Sequence, residues 1–282
     1  MLTVRAPAKI NLVLEVLGKY TNYHQISSII QTINIYDVLN FKLDEKISFS
    51  CSESSLEHGN LVTAAALLLK KETNYNKGAQ IELRKNIPWG AGLGGGSSDA
   101  AATLLTLNKL WGLKLSTTEL IHLAIKLGAD VPFFIYGGTA LIEGMGEKIT
   151  PLPPLAPTCF VLLVPPLSKM RGKTKQLYAR LNANHFTRGQ FVHAAQLSLR
   201  QRKTIPSSFM FNVFEKVAFD SFPRHNKYEE SFKKTGASNI HLAGSGPCLF
   251  TTAYGEEANR ICLRLRKQGL ECYIVFPLPK RS

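Results

Sequence analysis

Between residues 88 and 98 the chain reads Pro-Trp-Gly-Ala-Gly-Leu-Gly-Gly-Gly-Ser-Ser, five glycines in eleven residues. No other segment limits the fold so tightly. Only glycine combines easy access to positive φ with room for another backbone or a ligand to come close. The stretch lies between a strand-like segment, Ala79 to Arg84, and an Ala/Leu-rich helix-like segment, Ser98 to Leu110. Successive backbone N–H groups feeding a helix N-terminus form an anion site, because unsatisfied donors and the helix dipole both favour negative charge. Pro88, Trp89, Gly90, Ala91, Gly92, Leu93, Gly94, Gly95 and Gly96 are therefore candidate phosphate-loop residues, joined by the hydroxyl donors Ser97 and Ser98.

Two better-known glycine signatures fit less well. Gly90, Gly92 and Gly95 satisfy G-x-G-x-x-G, the dinucleotide pattern of an NAD(P)-dependent oxidoreductase. That loop should spring from a strand end and be followed by an acid on the next strand. Here it follows Asn86-Ile-Pro-Trp89, and no suitably placed acid comes after it. Nor does a Gly-Lys-Ser/Thr follow the glycines, as a Walker A loop requires. A plain flexible turn would not need so many glycines.

With 282 residues, the chain is long enough for two modest domains. It opens MLTVRAPAKI, with no apolar run behind a basic start, and nowhere are there about 18 consecutive apolar residues. A cytoplasmic protein without a membrane anchor is expected. The five cysteines are scattered and the seven histidines show no ligand spacing, which argues against a disulfide framework or a structural metal. A net charge of +14 attracts polyanions. Nine of the Lys and Arg residues fall between Ser168 and Lys203, where there is no acid. Stacking aromatics interleaved with basic residues are missing, so a nucleic-acid-binding module is disfavoured and phosphorylated small molecules fit better.

Leu2 to Val16 reads as a strand, with Val4, Ala6, Ala8, Ile10, Leu12, Leu14 and Val16 on one face and Arg5, Lys9, Asn11 and Glu15 on the other. Val38 to Ser50 reads as two further strands and Cys159 to Val164 as a buried one. Helices are expected over Leu61 to Lys71, over Ser98 to Leu110, and over Glu256 to Gln268 before Gly269. Another begins at the capping box Ser116/Glu119 and ends where Gly128 can turn left-handed. Four prolines between Pro151 and Pro157 place a domain boundary there, giving domains over 1–150 and 158–282.

Four short motifs, in order, carry a resemblance: Pro7-Ala-Lys-Ile-Asn-Leu12, the glycine loop with Asp99-Ala-Ala101, Gly128-Ala-Asp-Val-Pro-Phe133, and Ala243-Gly-Ser-Gly-Pro247. Together they resemble the GHMP kinase superfamily. Tyr23-His24, Asp37-Val-Leu39, Asn60-Leu61 and Ile142-Glu-Gly-Met-Gly-Glu147 are similar to its branch acting on a cytidine-diphosphate-linked polyol in non-mevalonate isoprenoid synthesis. The run Gly18 to His24 lacks the Asp-Gly usual in that branch.

The resemblance implies an α+β fold of two domains with the active site in the cleft between them. It implies ATP along residues 88–98 and Asn60, supported by Mg²⁺ whose ligands no acidic pair marks. Lys9 and Asp130 then match the catalytic pair, a combination suited to activating a hydroxyl toward phosphoryl transfer. Read without the other motifs, Asp130 is a helix N-cap before Val131-Pro132. For the acceptor, the resemblance implies contacts from Asn11, Tyr23, His24, Tyr178, Gly244 and Ser245, with His24 reading a cytosine edge and Tyr178 stacking on the base. Other acceptors of the superfamily, homoserine, mevalonate or a sugar, remain open at this point.

Overall fold

The computed structural model describes residues 1–21, 23–166, 172–222 and 225–281, so the first four residues of the basic stretch 168–203 lie outside it. The first two strands, β1 (Leu2–Tyr20) and β2 (Tyr23–Asp44), form one long antiparallel hairpin, paired from Leu2 with Phe41 to Tyr20 with Tyr23. The hairpin anchors a mixed sheet. β3 (Ser48–Cys51) and β4 (Gly78–Arg84) extend it beyond β2, and β8 (Phe211–Asn212) adds parallel to β1 on the other side. β5 (Thr139–Gly144) pairs with residues 26–31 of β2 and with β6 (Lys148–Pro151).

One strand expectation needs correction. β1 does not carry a solvated polar face: from Ala6 to Val16 every residue is buried, including Lys9, Asn11 and Glu15, and only Arg5 stays exposed. The strand is central and is covered on both faces. A register shift between Asn11 and Val13 also breaks the alternation, so Leu12, Val13 and Leu14 all go inside. Val38 to Ser50 does hold two strands, the end of β2 and most of β3, but β2 begins well before it, at Tyr23. The first half of β2 went unread because its apolar alternation is interrupted by the buried Ser27, Ser28, Gln31 and Thr32. Those groups are satisfied internally: Ser28 Oγ donates to the Val13 carbonyl at 2.6 Å, and Gln31 Nε2 to the Leu278 carbonyl at 2.9 Å.

Four helices lie against the sheet: α1 (Leu61–Thr73), α2 (Gly95–Leu110), α3 (Thr117–Leu127) and α4 (Val131–Tyr136). Small residues of α1 and α2 (Ala65, Ala66, Ala100, Ala101) share a core with Leu39, Phe41, Phe133 and Phe134. The capping box forms, with Ser116 N–H donating to Glu119 Oε2 at 2.7 Å. Gly128 ends α3 extended (φ 159°, ψ 157°), not left-handed as expected, because the chain runs straight on into α4.

Past the proline-rich segment, β7 (Cys159–Val164) is wholly buried, as a continuous apolar run requires. It lies inside a second, antiparallel sheet ordered β11-β7-β10-β9, with β9 (His241–Leu242), β10 (Leu249–Ala253) and β11 (Glu271–Val275). α9 (Glu256–Lys267) buries Ala258, Ile261, Cys262 and Leu265, as its spacing predicts. The remaining helices are α5 (Lys173–Arg180), α6 (Gln190–Arg202), α7 (Glu215–Ser221) and α8 (His225–Lys233). The tail after β11 returns to the first sheet, bridging Pro277 to Ile33 and Lys280 to Gly137.

Glu15 joins the two parts of the chain. Fully buried in β1, its carboxylate accepts from the N–H groups of Val192 at 2.8 Å and Phe191 at 3.4 Å, at the start of α6. That helix begins after Gly189, which has no side chain to cap it, so Glu15 supplies both the acceptor and the negative charge that a helix N-terminus favours. Glu15→Leu should lower the unfolding free energy by about 2–3 kcal/mol, because donors are left unpaired in the interior. Urea unfolding checks this, and an unchanged midpoint would show that α6 does not depend on the carboxylate.

Candidate active site

The glycine loop follows a left-handed path, with φ of 75° at Gly90, 90° at Gly92 and 73° at Gly94. Close neighbours leave no room for a side chain at two of them. A Cβ on Gly92 would lie 2.1 Å from the Ala243 carbonyl oxygen, and one on Gly94 would lie 2.9 Å from Lys9 Cγ. Gly244 is equally constrained, its Cβ position being 2.8 Å from the Gly92 carbonyl oxygen and 3.1 Å from Lys9 Nζ. Two glycine turns thus meet over β1. Hydrogen bonds hold them there: Lys9 N–H to the Leu93 carbonyl at 2.9 Å, and Cys248 N–H to the Ala91 carbonyl at 3.1 Å. α2 starts at Gly95, three residues before the expected Ser98, so Gly95 and Gly96 form its first turn and Ser97 and Ser98 follow within it.

A buried charge cluster braces the base of the loop. Lys85 Nζ bonds Asp37 Oδ2 and, at 2.9 Å, Asp99 Oδ2. The other oxygen of Asp37 accepts from the N–H groups of Asn86 (2.7 Å) and Ile87 (2.8 Å), just before the loop. Burial works against the Lys85 ammonium, but the two carboxylates outweigh it and raise its pKa. Burial, with the Asp37 charge adding to it, pushes the Asp99 carboxyl up to about 7. Three charges therefore tie β2, the loop entry and α2 together.

In front of the loop lies a cavity of about 730 Å³, lined from the first sheet by Lys9 and Asn11 and from the later part of the chain by Thr174, Tyr178 and Ser245. Lys9 is buried, and its Nζ donates to Asn11 Oδ1 at 2.6 Å and pairs with Asp130 Oδ2 at 3.4 Å. Asn11 Nδ2 in turn donates to Ser28 Oγ at 2.9 Å. The side chain of Asp130 does not cap α4 and is 42% exposed toward the cavity. The capping role that Val131-Pro132 suggested is not the one it plays. A buried ammonium beside an accessible carboxylate, in a cavity also lined by Gly94 and Ser97 at the start of α2, is an arrangement that can orient a hydroxyl against an anionic phosphate.

At the other end of the cavity, His24 and Tyr178 stack with centroids 4.9 Å apart, and Phe214 meets Tyr178 at 80°. Burial lowers the His24 pKa, with Lys19 adding to it, so the ring stays neutral. Its buried Nε2 has no hydrogen-bond partner among the described residues. A base that stacks on Tyr178 must replace one of these two rings. Tyr23 is 62% exposed at the cavity rim.

Other expected residues lie elsewhere. Pro88, Trp89, Gly90 and Ala91 line a second cavity of about 280 Å³ on the far side of the loop. Asn60 lines neither cavity. Its amide is committed to capping α1, accepting from Val62 N–H and donating to the Leu56 carbonyl, both at 2.9 Å. Leu61 beside it approaches the loop, 3.9 Å from a Cβ on Gly96. Sequence reasoning missed Lys85, Asp99, Lys173 and Asn212, whose Nδ2 donates to the Leu242 and Gly244 carbonyls. Asp99 carried a signal, as the first acid after the glycines; the others had none.

The raised Asp99 pKa means that the folded chain holds this proton more tightly than the unfolded chain. Its contribution to stability therefore falls as pH rises from about 4 to about 7 and is level above that. Asp99→Asn should flatten that fall, whereas Lys85→Met should cost about 3–5 kcal/mol by stranding two buried carboxylates. Denaturant midpoints at acid and neutral pH test both, and an identical pH dependence in Asp99→Asn would refute the first.

The N-terminal domain of the GHMP kinases matches residues 60–138, and their C-terminal domain matches residues 195–270. A 4-diphosphocytidyl-2-C-methyl-D-erythritol kinase of Dehalococcoides mccartyi is 42% identical over 281 residues, covering 99% of each chain. A kinase of the same name from a Geobacillus species is 39% identical over 88% of this chain and 87% of its own. Among solved structures, a 4-(cytidine 5'-diphospho)-2C-methyl-D-erythritol kinase superposes with a TM-score of 0.82 at 31% identity, covering 98% of this chain and 99% of that one. A homoserine kinase from Cytophaga hutchinsonii shares the fold at 18% identity and a TM-score of 0.76, covering 99% and 95%. With the glycine loop, the Lys9–Asp130 pair and the second glycine turn meeting at one cavity, the chain belongs to the GHMP kinases, in the family of the 4-diphosphocytidyl-2-C-methyl-D-erythritol kinases.

Proposed function

We propose that this protein transfers the γ-phosphoryl group of ATP to the 2-hydroxyl of 4-diphosphocytidyl-2-C-methyl-D-erythritol, a step in non-mevalonate isoprenoid precursor synthesis. The observation that carries this reading is the Lys9–Asp130 pair, 3.4 Å apart, in a cavity bounded by the glycine loop at one end and His24 and Tyr178 at the other. An anion-binding loop, a proton acceptor and an aromatic end for a base lie in one cavity of about 730 Å³, within the usual range for small-molecule sites.

In this scheme the N–H groups at the start of α2 hold the ATP phosphates. Asp130 orients the acceptor hydroxyl and takes its proton, while Lys9 balances the charge developing on the attacking oxygen and the phosphoryl group. Asn11 holds the Lys9 ammonium in place through their 2.6 Å hydrogen bond. His24, neutral and with Nε2 unpartnered among the described residues, is suited to hydrogen-bond a cytosine edge. The basic surplus of the chain attracts both polyanionic substrates.

Mg²⁺ usually takes one or two carboxylates and completes its shell with nucleotide phosphates and water. That suits a site where no group of three acidic, His or Cys side chains among the described residues could hold a metal alone. Asp130 and the buried Ser98 hydroxyl, which lacks a hydrogen-bond partner among the described residues, are the groups that would hold it. When bound, the ion neutralises charge on the phosphates.

ADP release with ATP plus 4-diphosphocytidyl-2-C-methyl-D-erythritol, compared with mevalonate, homoserine and no acceptor, tests the assignment. Stimulation by another acceptor alone would overturn it. Asp130→Asn should lower kcat by about 10²- to 10⁴-fold while ATP binding stays nearly unchanged. Tyr178→Leu should raise KM for the acceptor about tenfold and leave KM for ATP largely alone. An equal rise in both would show that Tyr178 is not part of a base subsite.

A further inference from the structure

The first turn of α5 sends two side chains into the seam between the glycine turns. Lys173 Nζ donates to the carbonyl oxygens of Gly90 and Gly246. Next to it, Thr174 Oγ1 donates to Ser245 Oγ at 2.8 Å. No ion pair to Lys173 is found among the described residues, although the side chain reaches inward to line the second cavity. Lys173 is half-buried, and an ammonium partly removed from water without a carboxylate needs strong acceptors for its protons. Here the acceptors are two carbonyls from two separate turns, which would repel each other without a cation between them.

We propose that Lys173 is a positioning residue for phosphoryl transfer: its ammonium staples the Gly90 end of the phosphate loop to Gly246 of the opposing turn and so sets the width of the phosphate site beside Lys9. The inference rests on the reading of that loop as the ATP site. Its physical basis is the lack of slack in the seam, where Gly92 and Ala243 already stand at backbone contact. Releasing the staple at one end lets the loop drift, and displacements of about 1 Å near a reacting phosphate cost about 100-fold in rate.

The staple should also titrate. Burial lowers the Lys173 pKa to about 8; Cys248 opposes the shift and the Lys9 charge adds to it. Cys248, just before β10, is itself held as a thiol by burial. Glu53, Lys85 and Glu271 are the other ionisable groups lining the same cavity. The ammonium is therefore charged at neutral pH and discharges in the alkaline range.

Lys173→Met removes the charge and keeps much of the stem, whereas Lys173→Arg keeps a charge that does not titrate. In the wild type, KM for ATP should rise above about pH 8. In Lys173→Met, kcat/KM for ATP should be about 10- to 100-fold lower and flat across that range. Lys173→Arg should be flat as well, with KM closer to the neutral wild-type value. Wild-type kinetics and pH profile in Lys173→Met would overturn the proposal, and so would a wild-type KM without an alkaline rise, even if the variants fail to fold. ATP binding read from tryptophan fluorescence separates the two levels. A silent wild type sinks the ATP reading and this inference together, whereas equal ATP affinity in wild type and Lys173→Met sinks this inference alone.

Discussion

The structure depends on two backbone turns approaching each other with no side chain between them. Gly92 meets Ala243 and Gly244 so closely that a single methyl group would reach to 2.1 Å from a carbonyl oxygen. That contact places residues from distant parts of the chain on either side of Lys9. It also explains why the glycines stand where they do. The requirement is steric and conformational together, since the positions that must lack a Cβ are also those with positive φ.

Around this seam the chain buries charge where it needs rigidity. Lys85 with Asp37 and Asp99 fixes the loop entry to α2, and Glu15 fixes β1 to α6. Buried ion pairs contribute modest net stability, because desolvation offsets most of their attraction, but breaking one is expensive. Their value here is geometric: each joins elements that hydrophobic packing alone would let slide. The Lys9–Asp130 pair differs from these. Its carboxylate is part-exposed, so it remains available to a substrate.

Several of these features could be read from residue order. The capping box of α3, the apolar run of β7 and the spacing of α9 are local patterns, governed by periods of 3.6 and 2 residues. The glycine loop and the Lys9, Asp130 and Gly244 motifs were legible for the same reason, being short and contiguous. The first half of β2 was hidden because its buried polar residues have partners far along the chain, such as the Leu278 carbonyl for Gln31. The burial of Lys9, Asn11 and Glu15 was hidden too. A strand covered on both faces can carry polar residues that look solvated until their partners are known.

By itself, the sequence determined that a glycine-rich loop leads into a helix and that lysine and aspartate motifs flank it in a kinase order. It did so because loop conformation and helix capping depend on neighbouring residues. Only the tertiary structure decided that Asp130 faces Lys9 rather than capping α4 and that Lys173 spans the two glycine turns. Those outcomes rest on contacts between residues up to about 120 positions apart, as for Lys9 with Asp130. Such distances are set by how the sheets and helices pack, and no local pattern encodes them.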